Sequence, residues 1–166
     1  MISLRSVAKV ALAALAASTL CTTGTAAMDC PRGTAMSSSD MSYGKEERCV
    51  IERTGKRHGP FRTWHRSGRM RQEGEYRFGR AEGVWTYYYP SGQKRMEGGW
   101  RFGKAHGPWT FWHENGQIES EGQLSFGKRV GSWTYRDENG NVRMQADWVD
   151  GQLDPEGEHA AARQHR

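Results

Sequence analysis

The chain repeats itself every 24 residues, and that period limits its fold more than any other feature. Gly55, Gly79, Gly103, Gly127 and Gly151 open successive units, Gly59, Gly83, Gly107 and Gly131 follow four residues on, and Gly68, Gly92, Gly116 and Gly140 fall mid-unit. Phe61, Trp85, Trp109 and Trp133 form an aromatic column at the same interval. A fixed period of this size marks units that bury surface mainly against their neighbours, so the four copies between Gly55 and Asp150 define a repeat array.

Inside a unit there are two strand-like runs, rich in aromatic and β-branched residues in the first: Gly83–Tyr89 (GVWTYYY) and Gln93–Arg101 (QKRMEGGWR). Ser67-Gly68, Ser91-Gly92, Asn115-Gly116 and Asn139-Gly140 separate them and read as two-residue hairpin turns. Such a turn predicts Trp85 opposite Gly98 and Tyr87 opposite Met96. One face then gathers Phe61/Trp85/Trp109/Trp133, Thr63/Tyr87/Phe111/Tyr135, Tyr76/Trp100/Leu124/Trp148 and Phe78/Phe102/Phe126. The other gathers Arg71/Arg95/Glu119/Arg143 and Glu73/Glu97/Glu121/Gln145. A slip of one residue would mix the two sets, which supports this register. Gly74, Gly98 and Gly122 become places where a ring from the facing strand lies over bare backbone, as Trp85 would over Gly98.

Composition agrees: 21 glycines in 166 residues and a hydrophobic fraction of 36% suit thin, turn-rich β structure better than a thick core. The expected fold is all-β, an elongated single antiparallel sheet of consecutive hairpins, on the order of 40 Å long. Its apolar face must curl over itself, pair with a second copy as a homodimer, or meet a partner.

Four segments follow. Residues 1–27 read as a signal peptide, with Arg5 and Lys9 before the apolar run Val10–Leu20, and with Thr25 and Ala27 at a small-residue cleavage site. The run is too short to span a bilayer, and Leu20 before Cys21 disfavours lipidation. The expected location is outside the cytoplasm, in a bacterial periplasm or secreted. Residues 28–54 read as a loop, Pro31–Ser42, followed by a capping half-repeat in which Val50 takes the place of Gly74. Cleavage leaves Cys30 and Cys49, which are expected to pair and close a loop of about 20 residues. The array fills 55–151, and residues 152–166 read as a polar tail in which Pro155 stops a fifth unit.

Units of the form Gly-x-x-x-Gly-x-Trp-x-x-Tyr, an Asn-Gly turn and a Glu-Gly-x-Tyr-x-x-Gly return resemble the MORN repeats, in the variant form common in bacterial proteins. The resemblance covers Gly44 to Gly151, and the last unit departs from it at Arg136, Ala146 and Asp150. It implies consecutive antiparallel hairpins and a role in protein association or contact with membrane lipid. Bacterial members of the variant family are often labelled antitoxin-like.

No nucleophile, base and acid stand together, and the glycines mark turns without cradling phosphate, so the chain reads as a non-enzyme without cofactor or metal. The paired positions His58/His106 and His65/His113 skip a unit and are too far apart to share a metal ion, so they read as solvated strand-end residues. Trp64, Tyr88 and Trp112 project from the polar face opposite Arg71, Arg95 and Glu119, as a binding ladder or as cross-strand stacking. The first unit is strongly basic, with Arg57, Arg62, Arg66 and Arg69 as candidate contacts for an anionic surface. The modest formal charge of +5 gives no case for nucleic acid. The leading expectation is an exported scaffold that binds a protein through its sheet. Binding to anionic lipid headgroups is the alternative, and cell-wall or carbohydrate binding by the aromatic ladder a further one.

Overall fold

The computed structural model describes residues 28–154, so the expected leader and nearly all of the tail lie outside the described residues. One open antiparallel sheet of eleven strands runs in sequence order: β1 Thr34–Met41, β2 Gly44–Ile51, β3 Arg57–Trp64, β4 Met70–Arg77, β5 Arg80–Tyr88, β6 Lys94–Arg101, β7 Lys104–Trp112, β8 Ile118–Ser125, β9 Lys128–Arg136, β10 Val142–Val149 and β11 Gln152–Leu153. No helix occurs among the described residues. The predicted register holds through the body of each hairpin, with Trp85 opposite Gly98 and Tyr87 opposite Met96.

The turns differ from expectation. Ser67-Gly68 and its equivalents sit in three-residue loops: Gly68 N–H donates to His65 O, His65 N–H donates to Arg69 O, and Gly68 has φ 81°. The extra loop residue is absorbed by a bulge, so Trp64, Tyr88 and Trp112 pair with Met70, Lys94 and Ile118 while Arg71, Arg95 and Glu119 are the unpaired bulge residues. The two-residue primed turns lie between units, at Phe78-Gly79, Phe102-Gly103, Phe126-Gly127 and Asp150-Gly151, where both residues have positive φ. Phe78, Phe102 and Phe126 are therefore exposed turn residues outside the buried aromatic column, Phe102 standing at the margin of the aromatic face. Each glycine N–H of these turns reaches back to an earlier unit: Gly79 to Arg57 O, Gly103 to Ala81 O, Gly127 to Ala105 O and Gly151 to Arg129 O.

The core is one ring deep. Phe61, Trp85, Trp109 and Trp133 are 3%, 3%, 5% and 0% exposed, and edge-on contacts with Tyr76 and Trp100 join the first three into a continuous line. The sheet thus buries its own aromatic column. Each indole covers the glycine of the preceding unit, against the expectation that it covers its hairpin partner: Trp85 lies on Gly74, Trp109 on Gly98 and Trp133 on Gly122. A Cβ at Gly98 would stand 2.1 Å from the Trp109 ring. The offset has a polar reason, because each indole N–H then meets the carbonyl just past that glycine: Trp85 to Glu75 O at 3.2 Å, Trp109 to Gly99 O at 3.1 Å and Trp133 to Gln123 O at 3.1 Å. Burying roughly 200 Å² per ring contributes about 5 kcal/mol per junction, enough for a one-layer sheet to hold together.

Two corrections fall at the N-terminal end. The segment read as a loop contains β1, which pairs with β2 residue for residue around the turn Ser42-Tyr43. Its lack of apolar alternation hid it, because an edge strand need not bury either face. Arg48, and not Val50, stands opposite the first aromatic of the column, Phe61. The Cys30–Cys49 disulfide forms, with Cα atoms 5.6 Å apart, and ties the lead-in to β2. Pro31 packs so tightly on Gly59 that a Cβ there would lie 2.6 Å from the proline ring, which seats this cap on the first repeat.

Candidate functional site

On the polar face a single row crosses the sheet: Glu47, Arg62, Glu73, Thr86, Glu97, Thr110, Glu121 and Thr134, each opposite the next. Its carboxylates are occupied. Glu47 pairs with Lys45 at 2.5 Å, Glu97 with Lys94 at 2.7 Å and with the Thr86 hydroxyl at 3.0 Å, and Glu121 with Arg136 at 2.8 Å. Glu73 accepts from the Tyr88 hydroxyl at 2.7 Å and stands 3.9 Å from Arg62.

The flanking aromatic column is also engaged. Lys45 lies over Trp64 at 5.5 Å and Lys94 over Trp112 at 5.6 Å. Burial first, then the bond to Glu73, pushes the Tyr88 hydroxyl up to about 12. Trp64 and Trp112 thus carry lysines over their rings and Tyr88 donates to a carboxylate, whereas the expected neighbours Arg71, Arg95 and Glu119 are the bulge residues.

The four arginines do not converge. Arg57 lies at the other end of β3, over the rings of Phe61 and Tyr76 and 3.1 Å from Glu46. Arg62 sits mid-strand in the polar row, while Arg66 and Arg69 share the loop after β3 and clamp neighbouring turns through Ser42 O, Pro90 O and Ser91 O. Two histidines join units as well, His65 Nε2 lying 3.2 Å from Tyr88 O and His113 Nε2 3.0 Å from Arg136 O, while within the first unit His58 Nδ1 accepts from Phe78 N–H at 3.2 Å. No group of three or more His, Cys, Asp or Glu is placed to hold a metal among the described residues.

The aromatic face offers concavity that the spacing argument missed. One recess of about 530 Å³ is lined by Tyr76, Arg80, Trp85, Tyr87, Trp100 and Phe102. A second, of about 500 Å³, is lined by Leu124, Lys128, Arg129, Trp133, Trp148 and Asp150, which stand two units on from Tyr76, Arg80, Ala81, Trp85, Trp100 and Phe102. Arg129 caps the second, its guanidinium 4.9 Å from the ring centres of both Trp133 and Trp148. Burial, with Tyr76 nearby, raises the Tyr87 hydroxyl to about 12, so it remains a neutral donor in the wall of the first recess. Flat aromatic walls with a cationic rim suit an occupant that is partly apolar and partly anionic. The recesses arise because each indole slides back onto the preceding unit, a displacement visible only once the register between units is known.

Consecutive hairpins that bury their rings against the preceding unit define a β-hairpin repeat scaffold. A family model described as the MORN repeat variant matches residues 57–77, 81–100 and 105–124, so three consecutive hairpins of the array carry this repeat. The fourth hairpin, β9–β10, lies outside the matched residues and folds in the same way. No curated protein matches the chain.

Proposed function

We propose that the protein is a non-enzymatic scaffold that works outside the cytoplasm and binds a protein partner through the aromatic face of its repeats. The observation that carries this reading is the recurrence of one recess, with aromatic walls and a basic rim, at equivalent positions two units apart. A partner presenting apolar side chains next to carboxylates would meet aromatic walls twice and a guanidinium at each, Arg80 at the first recess and Arg129 at the second, where Lys128 is already paired with Asp150 at 3.1 Å. Along the polar row the cations, carboxylates and aromatic column satisfy one another, and the recess of about 470 Å³ that Trp64 lines with Lys45 and Glu47 lies at the N-terminal end and does not recur along the row. Export is supported by the leader-like segment and by the Cys30–Cys49 disulfide, a bond that persists in oxidising compartments.

Affinity capture from envelope extracts tests it, comparing wild type with Arg80→Glu/Phe102→Asn at the first recess and with a Trp64/Tyr88/Trp112 triple alanine variant. Asparagine tolerates the positive φ at position 102, so the first variant alters the rim without breaking the turn. A partner lost by the recess variant and kept by the column variant is the expected result. Retention by the recess variant would overturn the reading.

A further inference from the structure

Every ladder between β2 and β10 carries a bulge, and the β1–β2 ladder carries none, with eight consecutive pairs from Thr34↔Ile51 to Met41↔Gly44. Among the described residues β1 therefore presents evenly spaced backbone donors and acceptors along its outer side with no strand paired to them. Edges of this kind are usually guarded by lysine, proline or a bulge. The sequence TAMSSSDM has none of these, its one charge is Asp40, and Met36 and Met41 are 52% and 42% exposed. The far end of the sheet is guarded in two ways: β11 covers Trp148 and Val149 of β10, with Asp154 N–H donating to Asp147 O, and the rest of β10 carries a bulge between Val142 and Met144 and the charge of Arg143. The β1–β2 hairpin is also held stiff, by the disulfide, by Arg48 bonded to Ser39 at 3.3 Å, and by the buried Glu46 with its Tyr43 and Arg57 partners.

We propose that the outer edge of β1 docks a second copy of this chain, whose own β1 adds antiparallel and joins two eleven-stranded sheets into one. The strand is self-complementary about Ser38. Antiparallel pairing with the two-fold axis there sets Ser38 opposite Ser38, Ser37 opposite Ser39, Met36 opposite Asp40 and Ala35 opposite Met41 of the other copy. Odd residues meet odd and even meet even, so each pair shares a face, as the pleat demands. No like charges face each other, because the two Asp40 carboxylates lie four residues out of step, about 13 Å along the strands. The small serines let the backbones approach, and Met41 covers Ala35 twice by symmetry. Such a contact is isologous and closes at two copies. It also places the aromatic faces of both arrays on the same side, which doubles the recesses offered to one extended partner. The proposal does not depend on that partner being a protein.

Sedimentation of the purified protein over a concentration series tests the pairing, and a monomer–dimer equilibrium is expected. Ser38→Lys puts two ammonium groups opposite each other at the axis and should weaken dimerisation about fivefold or more at low salt, with recovery at high salt. Ser38→Glu should do the same, and mixing the two variants should restore dimers that neither forms well alone. Met144→Lys, an exposed position on the aromatic face of β10 opposite Tyr135, should leave the equilibrium unchanged. Circular dichroism and intact mass establish that each variant keeps its fold and its disulfide. A wild type that stays monomeric at every concentration overturns the proposal. Dissociation by Met144→Lys, or a mixture no better than its components, does so equally.

Discussion

At the three interior junctions a tryptophan lies flat on a glycine and donates to the carbonyl beyond it, whereas at the N-terminal junction Phe61 meets Arg48. The interior rule can repeat without limit, since every unit supplies both the indole and the bare backbone for the next. The N-terminal junction cannot. Arg48 and Arg57 converge there on Glu46, which is 2% exposed and also accepts from the Tyr43 hydroxyl at 2.7 Å. A charged, hydrogen-bonded cluster thus closes the end that in the interior is closed by a ring. The C-terminal end breaks the rule differently: Ala146 holds the glycine position of the last unit, and a methyl group at that position would collide with an incoming indole. Array length is therefore written at both ends in residues that refuse the next unit.

The most severe way to break the contrast is Trp109→Ala, which removes a ring shared by two units. A loss of about 3–5 kcal/mol is expected in urea denaturation. Because units contact mainly their neighbours, hydrogen exchange should then show the second and third units opening first, with the cap retaining its protection. Removing the disulfide by Cys30→Ser/Cys49→Ser should cost about 3 kcal/mol in the chain-entropy model. Here exchange should rise in β1 and β2 and stay unchanged in β7 to β10, the reverse of the first pattern.

A third comparison sets Gly98→Ala against Ala146→Gly. The first places a Cβ 2.1 Å from the Trp109 ring and should destabilise by about 2 kcal/mol, while the second has no ring to relieve and should change stability by under about 1 kcal/mol. Equal effects would mean that the indole-on-glycine contact does not distinguish interior from end.

The smallest effect concerns pH. Burial pushes Glu46 up, but the Tyr43 hydroxyl, Arg48 and Arg57 together pull it lower, leaving it below the ordinary glutamate value. A depressed carboxylate stabilises the fold above its unfolded pKa, and that share is lost as pH falls through the folded value. The N-terminal hairpin should loosen in acid before the interior units. Glu46→Gln should lose about 1–2 kcal/mol at neutral pH and remove this early acid step in pH-dependent exchange.

The hairpin register, the sorting of Phe61, Trp85, Trp109 and Trp133 to one face, and the Cys30–Cys49 pairing were all legible in the residues. Period, alternation and an even cysteine count are local signals, and each has one low-energy solution. The turns were only half legible. Asn-Gly and Ser-Gly report that a glycine accepts positive φ, without saying whether the loop has two residues or three. The primed turns at Phe78-Gly79 and its equivalents escaped notice because a bulky residue at positive φ is uncommon and is held there by contacts such as His58 on Phe78 at 4.6 Å.

Sequence alone determined that this chain is an array of four two-faced hairpins, because a 24-residue repeat with period-two alternation admits little else. Tertiary structure decided how one hairpin meets the next. The contact between units depends on where an indole N–H finds a carbonyl, a choice among near-equal placements that no spacing encodes. That choice laid Trp85 on Gly74 instead of Gly98, opened the recesses on the aromatic face, and tied Trp64, Tyr88 and Trp112 into the polar one. Pairing with β2 separately made β1 a regular edge strand of the described sheet, where the residues had suggested only a loop.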